Sequence, residues 1–193
     1  MKTIVSLFDG ISCCYMALQK AGIKFNKYIA SEVDKFSQKA SLYNFPDIVR
    51  VGDVRNVKIN EPVWLLAGGS PCQSFSFAGK MNGMSTKDSI DVVTLEQYLD
   101  LKENGFEFEG QSYLFWEYVR ILKETKPKYF FLENVEMPEK WEKLISKTLG
   151  VNPIKINSSL VSAQNRVRLY WTNIGLEPNG LFGDLQSIIP QPK

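Results

Sequence analysis

The sequence contains no histidine in its 193 residues. Histidine is the usual general base of serine and cysteine hydrolases and a common ligand of catalytic zinc. Catalysis by a Ser-His-Asp or Cys-His arrangement is therefore excluded, and no metal site is predicted. Any general acid or base must be Asp, Glu, Lys, Tyr or water, so a thiol hydrolase is a remote alternative.

Cysteine is also scarce, and long apolar runs are missing. Three cysteines, of which Cys13 and Cys14 are adjacent, do not make a disulfide framework. Cys13 and Cys14 lie within the first predicted helix, and we expect both to pack as small apolar residues. No apolar run is long enough to span a bilayer, and residues 1–5 are typical of a first strand rather than of a signal peptide. These features predict a cytoplasmic protein without a membrane partner. The net charge of +2 is small, although a local basic patch would suffice for binding nucleic acid.

Short apolar runs alternate with segments of helical spacing, in a chain long enough for one domain with a sizeable core. The predicted strands cover residues 3–8, 27–31, 48–51, 63–67, 129–132, 154–160 and 167–171. The predicted helices cover residues 13–21, 34–43, 94–102, 112–124 and 138–149. This alternation predicts an α/β fold with a mostly parallel, doubly wound sheet, and the short link before the last strand makes that strand antiparallel. Residues 85–111 suggest a lid or insertion and indicate no function.

Polar or glycine residues follow the first three strands, at Gly10, Glu32 and Asp53. A strand, a glycine turn and a helix form the opening of a nucleotide-binding unit, and Glu32 lies where such folds hydrogen-bond ribose hydroxyls. Each residue alone is also typical of an ordinary turn or a solvated surface. Together they indicate a nucleotide site at the carboxyl edge of the sheet.

The loop after the fourth strand reads Gly-Gly-Ser-Pro-Cys-Gln over residues 68–73. Its sharp turn predicts that Cys72 lies on a loop at the same edge, where an ionised thiol would be a strong nucleophile. These six residues alone leave open whether Cys72 is catalytic or simply buried. Two further segments are predicted to reach this edge: Glu133 follows the fifth strand, and residues 162–168 carry Gln164, Arg166 and Arg168.

In order and spacing, these motifs resemble those of the DNA (cytosine-5)-methyltransferases, especially the small bacterial and phage-type members. The motifs are Phe-Asp-Gly at residues 8–10, Gly-Ser-Pro-Cys-Gln at 69–73, Glu-Asn-Val at 133–135 and Gln-Asn-Arg-Val-Arg at 164–168. The resemblance covers residues 3–175. It implies a Rossmann-like fold that uses S-adenosylmethionine, DNA as the partner, and a place in DNA methylation or restriction-modification in a bacterial or phage-infected cell.

The resemblance also implies a role for each motif. Cys72 would add to C6 of a cytosine flipped out of DNA, so that C5 can take a methyl group and leave S-adenosylhomocysteine. The implied catalytic residues are Cys72, Glu133, Arg166 and Arg168. Contacts to S-adenosylmethionine are implied for Phe8, Asp9, Gly10, Ser12, Glu32, Val33, Asp53, Val54 and Pro71. Contacts to nucleic acid are implied for Gln73, Ser74, Lys80 and Gln164.

The chain departs from the family pattern in two places. Ser12 stands where the family has glycine, and a target-recognition region and final helix do not follow residue 175. We therefore expect a catalytic and cofactor-binding domain over residues 1–175 and an irregular tail over 176–193. A second chain that supplies the missing parts is one expectation. Two alternatives remain: a catalytically silent protein of this fold that binds DNA or a partner, and an RNA cytosine methyltransferase.

Overall fold

A computed structural model describes residues 1–71, 84–88 and 90–175 of the chain. In this part of the chain, seven strands form one sheet in the order β3-β2-β1-β4-β5-β7-β6. The strands are β1 (Thr3–Leu7), β2 (Lys27–Ser31), β3 (Val49–Arg50), β4 (Leu65–Gly69), β5 (Tyr129–Asn134), β6 (Ile154–Asn157) and β7 (Val167–Thr172). Strands β1 to β5 run parallel, and β7 is antiparallel to both β5 and β6. The predicted α/β sheet with a late antiparallel strand is confirmed.

Helices cover both faces of this sheet. They are α1 (Cys13–Lys20), α2 (Lys35–Asn44), α3 (Leu95–Glu103), α4 (Phe115–Thr125) and α5 (Glu139–Leu149), with 3-10 turns at Val54–Asn56, Ser112–Leu114 and Ser158–Leu160. All five residues of β1 are buried, so side chains on both faces of this strand pack against helices. Val5 and Leu7 enter the larger core with α4 and α5, whereas Ile4 enters a smaller core that contains Leu18 of α1.

The helix ends follow local chemistry that the sequence already indicates. Asp34 caps α2, and its carboxylate accepts a hydrogen bond from the backbone N–H of Ser37 at 2.7 Å. Thr94 caps α3 in the same manner. Gly150 ends α5 in the left-handed conformation, at a φ of 72°.

Two local predictions are wrong. The strand expected over residues 154–160 ends at Asn157, because the Asn157 side chain accepts hydrogen bonds from the backbone N–H groups of Ser159 and Arg166 and starts a turn. Cys13 and Cys14 were both expected to pack inside α1 as small apolar residues. Cys13 is instead exposed, because it lies on the first turn of α1 at the rim of a cavity, while Cys14 is partly buried.

In the described part of the chain, none of the helices is long and apolar enough to cross a membrane.

Candidate active site

The carboxyl ends of the five parallel strands deliver the candidate residues to one edge of the sheet. The strand order reverses at β1, whose neighbours are β2 and β4, and ligands of open α/β sheets bind at such a switch point. The loops after β1, β2 and β3 carry the predicted cofactor residues. Of the predicted catalytic residues, Glu133 lies at the end of β5, Arg168 lies in β7 and Arg166 directly precedes β7.

The loop after β1 has an unusual backbone. Phe8, Gly10 and Ser12 have φ values of 56°, 58° and 66°, in the left-handed region that favours glycine. Buried Asp9 stabilises this path, because its carboxylate accepts hydrogen bonds from the hydroxyls of Ser12 and Tyr28, the latter at 2.7 Å. The Ser12 hydroxyl also contacts Ser41 Oγ at 2.6 Å, so the serine has gained two polar partners that glycine could not have.

Glu32 ties the loop after β1 to the loop after β2. Its Oε2 accepts a hydrogen bond from the Gly10 N–H at 2.8 Å, and its Oε1 accepts from the N–H groups of Val33 and Asp34. A carboxylate has about four acceptor positions, so one remains on Oε2 beside Gly10. Gly10 and Glu32, which the sequence predicted together, are in direct contact.

Asp53 follows β3 and begins the 3-10 turn at Val54–Asn56. The Arg55 side chain hydrogen-bonds the Asp53 carboxylate and holds the pKa of that carboxyl below its usual value. Ser31 at the end of β2 donates a hydrogen bond to the carbonyl of Gly52 at 2.7 Å, which links this turn to the Glu32 segment. Val54 is buried, whereas Val33 is 62% exposed.

Glu133, Arg166 and Arg168 form the second group. Arg168 Nε lies 2.8 Å from Glu133 Oε1, and an Arg166 guanidinium nitrogen lies 3.8 Å from the same oxygen. Antiparallel pairing of β7 with β5 places Tyr170 opposite Glu133, and Arg168 is two residues before Tyr170 on the same strand face. Burial raises the pKa of the Tyr170 phenol, and the neighbouring Glu133 carboxylate raises it further. The predicted convergence of these three side chains is present.

The loop that leads to Cys72 is anchored to β5. Buried Asn134 donates hydrogen bonds to the carbonyl and the hydroxyl of Ser70, at 3.2 and 3.0 Å. Glu133 lies against the backbone of Gly69, since a Cβ on Gly69 would come within 3.1 Å of Glu133 Oε2. The Glu-Asn pair thus contacts both residues that precede Pro71, which is half-buried.

A cavity of about 580 Å³ opens beside this edge. Its wall includes Phe8 and Asp9 from the first loop, Gly69 and Glu133 from the second group, and Cys13 of α1. The volume is in the range of sites that hold a ligand of drug size. The cavity therefore joins the predicted cofactor loop to the predicted catalytic carboxylate.

A family model for C-5 cytosine-specific DNA methylases matches residues 2–97 and 101–149 of the chain. The chain belongs to this family. The family match confirms the resemblance on which the residue assignments were based.

Curated relatives of this chain include phage proteins. Orphan methyltransferase M.SPRI of Bacillus phage SPR is 35% identical over 137 residues, which cover 69% of this chain and 26% of the relative. Orphan methyltransferase M.SPBetaI of Bacillus phage SPbeta is 30% identical over 196 residues, which cover 86% of this chain and 43% of the relative. The chain spans less than half the length of these two relatives.

Solved methyltransferases share the fold. The crystal structure of S. pombe Dnmt2 methyltransferase has a TM-score of 0.68 and 16% identity, over 100% of this chain and 57% of that one. A mutant of Spodoptera frugiperda DNMT2 has a TM-score of 0.56 and 20% identity, over 89% of this chain and 49% of that one. At these identities the likeness shows the fold, and it confirms the predicted Rossmann-like methyltransferase fold.

Cys72, Gln73, Ser74 and Lys80 lie outside the described residues. Gln164 is exposed in the link between β6 and β7, where its N–H donates a hydrogen bond to Ser162 Oγ at 3.3 Å.

Sequence reasoning missed three residues that contribute to the candidate site. They are Asn134, Gly69 and Tyr28, which act through Ser70, Glu133 and Asp9 respectively. For the first two, the only signal was their place within a recognised motif. Tyr28 gave no signal, because a tyrosine in a strand is ordinary.

Proposed function

We propose that the chain transfers a methyl group from S-adenosylmethionine to C5 of cytosine in DNA, through a covalent bond between Cys72 and C6. Membership of the C-5 cytosine-specific DNA methylases supports the reaction class. The observation that carries the proposal is the Glu133 carboxylate. It is held by Arg168 at 2.8 Å and borders the backbone of Gly69, three residues before Cys72.

Each catalytic residue has one task in this proposal. The Cys72 thiolate forms a bond to C6, the electrons of the C5–C6 double bond become available at C5, and C5 takes the methyl group. Loss of the C5 proton then re-forms the double bond and expels the thiolate. The two arginines provide positive charge that favours both the thiolate and an anionic substrate.

Glu133 would hold the pyrimidine ring and supply the acid assistance that histidine provides in other enzymes. Its Oε1 pairs with Arg168 Nε at 2.8 Å. Within the described part of the chain, Oε2 has no hydrogen-bond donor and faces the Gly69 backbone. That oxygen is the one free to contact the ring nitrogen and amino group of cytosine. The base must leave the DNA stack to reach it.

The residues at the first three strand ends fit S-adenosylmethionine. A Cβ on Gly10 would have nothing within 4 Å, so open space adjoins the free acceptor position on Glu32. Glu32 would bind the ribose hydroxyls, Asp53 and Val54 would face the adenine, and Phe8, Asp9, Ser12, Val33 and Pro71 would complete the walls. S-adenosylmethionine, when bound, supplies an electrophilic methyl group.

The test uses DNA that contains 5-fluorocytosine together with S-adenosylmethionine. Fluorine at C5 cannot leave as a cation after methyl transfer, so the protein should remain covalently bonded to the base. Mass spectrometry of the digested complex should place the adduct on Cys72. An RNA oligonucleotide of the same sequence, also with 5-fluorocytosine, should give no adduct.

Two variants make the outcome decisive. Cys72→Ala should form no adduct, and Cys13→Ala, which removes the exposed thiol at the rim of the cavity, should still form it. An adduct on Cys13 or Cys14 would refute the mechanism. An adduct with RNA alone would replace DNA with RNA as the substrate.

A further inference from the structure

A buried carboxylate on α4 lies outside the catalytic group. Glu117 is fully buried. Its Oε1 accepts hydrogen bonds from the Tyr98 hydroxyl at 2.7 Å and from Lys102 Nζ at 2.5 Å. Its Oε2 accepts from Arg120 Nε at 2.7 Å. A buried charge with this many donors is held in one orientation, and it holds its two cationic partners in turn.

Both cations extend from this carboxylate to one short piece of backbone. The terminal guanidinium nitrogens of Arg120 donate hydrogen bonds to the carbonyl of Val54 at 3.1 Å and to the carbonyl of Val57 at 3.2 Å. Lys102 Nζ lies 3.5 Å from the carbonyl of Arg55. Glu117 therefore controls, through two side chains, three carbonyls of residues 53–57, which we call the 53–57 turn.

The 53–57 turn has little other support from regular structure. The strand before it, β3, is only two residues long, and Gly52 between them has a φ of 71°. The turn itself is a single 3-10 turn that Asp53 begins. Val54 and Val57 are buried in the larger core, and the hydrogen bonds from α4 fix how the carbonyls of this turn are oriented.

We propose that Glu117 and Arg120 are positioning residues for the adenine-binding part of the cofactor site. The inference rests on the proposed function, in which Asp53 and Val54 face the adenine. Arg120 fixes the Val54 carbonyl directly, and Arg55, whose carbonyl contacts Lys102, also pairs with the Asp53 carboxylate. The network thus sets where the Asp53 oxygens and the Val54 backbone lie.

The test compares binding of two ligands by calorimetry. S-adenosylhomocysteine carries the adenine amino group, which can donate to Asp53. S-inosylhomocysteine carries a carbonyl there, so a site built around Asp53 discriminates against it. Arg120→Lys keeps the positive charge beside Glu117 but cannot hold two carbonyls with one fork of nitrogens. This variant should weaken the binding of S-adenosylhomocysteine about ten-fold, which corresponds to the loss of one hydrogen bond. It should weaken S-inosylhomocysteine by much less.

A second variant and a control separate positioning from stability. Glu117→Gln keeps the size of the side chain. It should also reduce the ratio of the dissociation constant of S-inosylhomocysteine to that of S-adenosylhomocysteine. Lys123 is on the same helix as Glu117 and forms an exposed ion pair with Glu96 of α3. Lys123→Met removes this ion pair and should leave both dissociation constants unchanged. A loss of folded protein would lower the binding stoichiometry rather than the ratio.

Each outcome bears on one proposal or on both. If Arg120→Lys binds S-adenosylhomocysteine as tightly as the wild type does, and the ratio of the two dissociation constants is unchanged, the positioning role alone is overturned. Equal weakening of both ligands would do the same. A wild-type chain that binds neither ligand would overturn the cofactor assignment and the positioning role with it.

Discussion

At the end of β4, two adjacent glycines leave room for different neighbours. A Cβ on Gly68 would lie 3.0 Å from the ring of fully buried Tyr118 and 3.3 Å from the Leu7 carbonyl. A Cβ on Gly69 would lie 3.1 Å from Glu133 Oε2. The first glycine therefore serves packing of the core, and the second serves the position of a carboxylate.

Alanine should affect mainly stability at Gly68 and mainly the reaction at Gly69. Gly68→Ala should lower the free energy of unfolding by about 1–3 kcal/mol, because the buried ring cannot move away. Gly69→Ala should change stability by less than about 1 kcal/mol, yet slow adduct formation with 5-fluorocytosine DNA by roughly ten-fold or more, because Glu133 is displaced. Urea denaturation and the rate of adduct formation measure the two effects. Wild-type adduct formation by Gly69→Ala would show that Glu133 has no role in the reaction.

Residue-level chemistry explains why part of the site was predictable. Gly10 and Glu32 were recognisable because a nucleotide site needs a bare turn and an acceptor at fixed positions, and they are hydrogen-bonded at 2.8 Å. The contact of Asn134 with Ser70 joins residues 64 positions apart, and spacing within one motif does not reveal such a partner. The catalytic assignment of Cys72 stays a prediction.

Among the elements, α1 lies closest to the first loop and carries a thiol whose ionisation opposes folding. Burial, with a smaller contribution from the Asp9 carboxylate, raises the pKa of the Cys14 thiol from 9.0 to about 11. Below pH 9, both the folded and the unfolded chain keep this thiol protonated. Between pH 9 and 11, the unfolded chain releases the proton and the folded chain does not, so stability falls as the pH rises.

We therefore expect the wild-type protein to lose about 1–2 kcal/mol more stability than Cys14→Ala between pH 9 and 11. Urea denaturation at several pH values in this range measures the difference. Cys13→Ala, which removes the exposed thiol on the same helix turn, should follow the wild-type curve. Parallel curves for wild type and Cys14→Ala would mean that burial does not disfavour the thiolate.

The elements themselves were largely predictable, because periodicity and end signals act locally. The strands and helices from β1 to α5 lie where apolar spacing and capping residues indicated, with Asp34, Thr94 and Gly150 at the expected ends. Local reasoning failed at residues 158–160, where a side chain of Asn157 competes with the strand for backbone hydrogen bonds. Local reasoning also did not predict the hydrogen bonds between α4 and the 53–57 turn.

At the scale of the whole molecule, the sheet joins two groups of loops with different tasks. Those after β1, β2 and β3 present acceptors and open space, and those after β4 and β5, with β7, present the carboxylate and arginines. The cavity of about 580 Å³ borders the loop after β1 on one side and Gly69 and Glu133 on the other. Because β1 and β4 are hydrogen-bonded neighbours, ligand binding at one group is coupled to the stability of the whole sheet.

S-adenosylhomocysteine should therefore stabilise the folded chain, by about 2.7 kcal/mol at a concentration 100 times its dissociation constant. Glu32→Gln should reduce this increment to about 1.4 kcal/mol at the same concentration, which corresponds to a ten-fold weaker affinity. The physical reason is that the neutral amide has fewer acceptor positions for ribose hydroxyls while the backbone N–H of Gly10 still needs one. Denaturation with and without ligand measures the increment.

We expect Glu32→Gln also to lower the free energy of unfolding of the ligand-free protein. The control variant must therefore lose stability without any change in the cofactor site. Gly150→Ala meets this need, since a Cβ at a φ of 72° strains the end of α5 while meeting nothing within 4 Å. We expect it to cost about 1 kcal/mol in the absence of ligand and to keep the full increment of about 2.7 kcal/mol. A full increment in Glu32→Gln would remove Glu32 from the cofactor site, and a reduced increment in Gly150→Ala would show that lost stability alone lowers affinity.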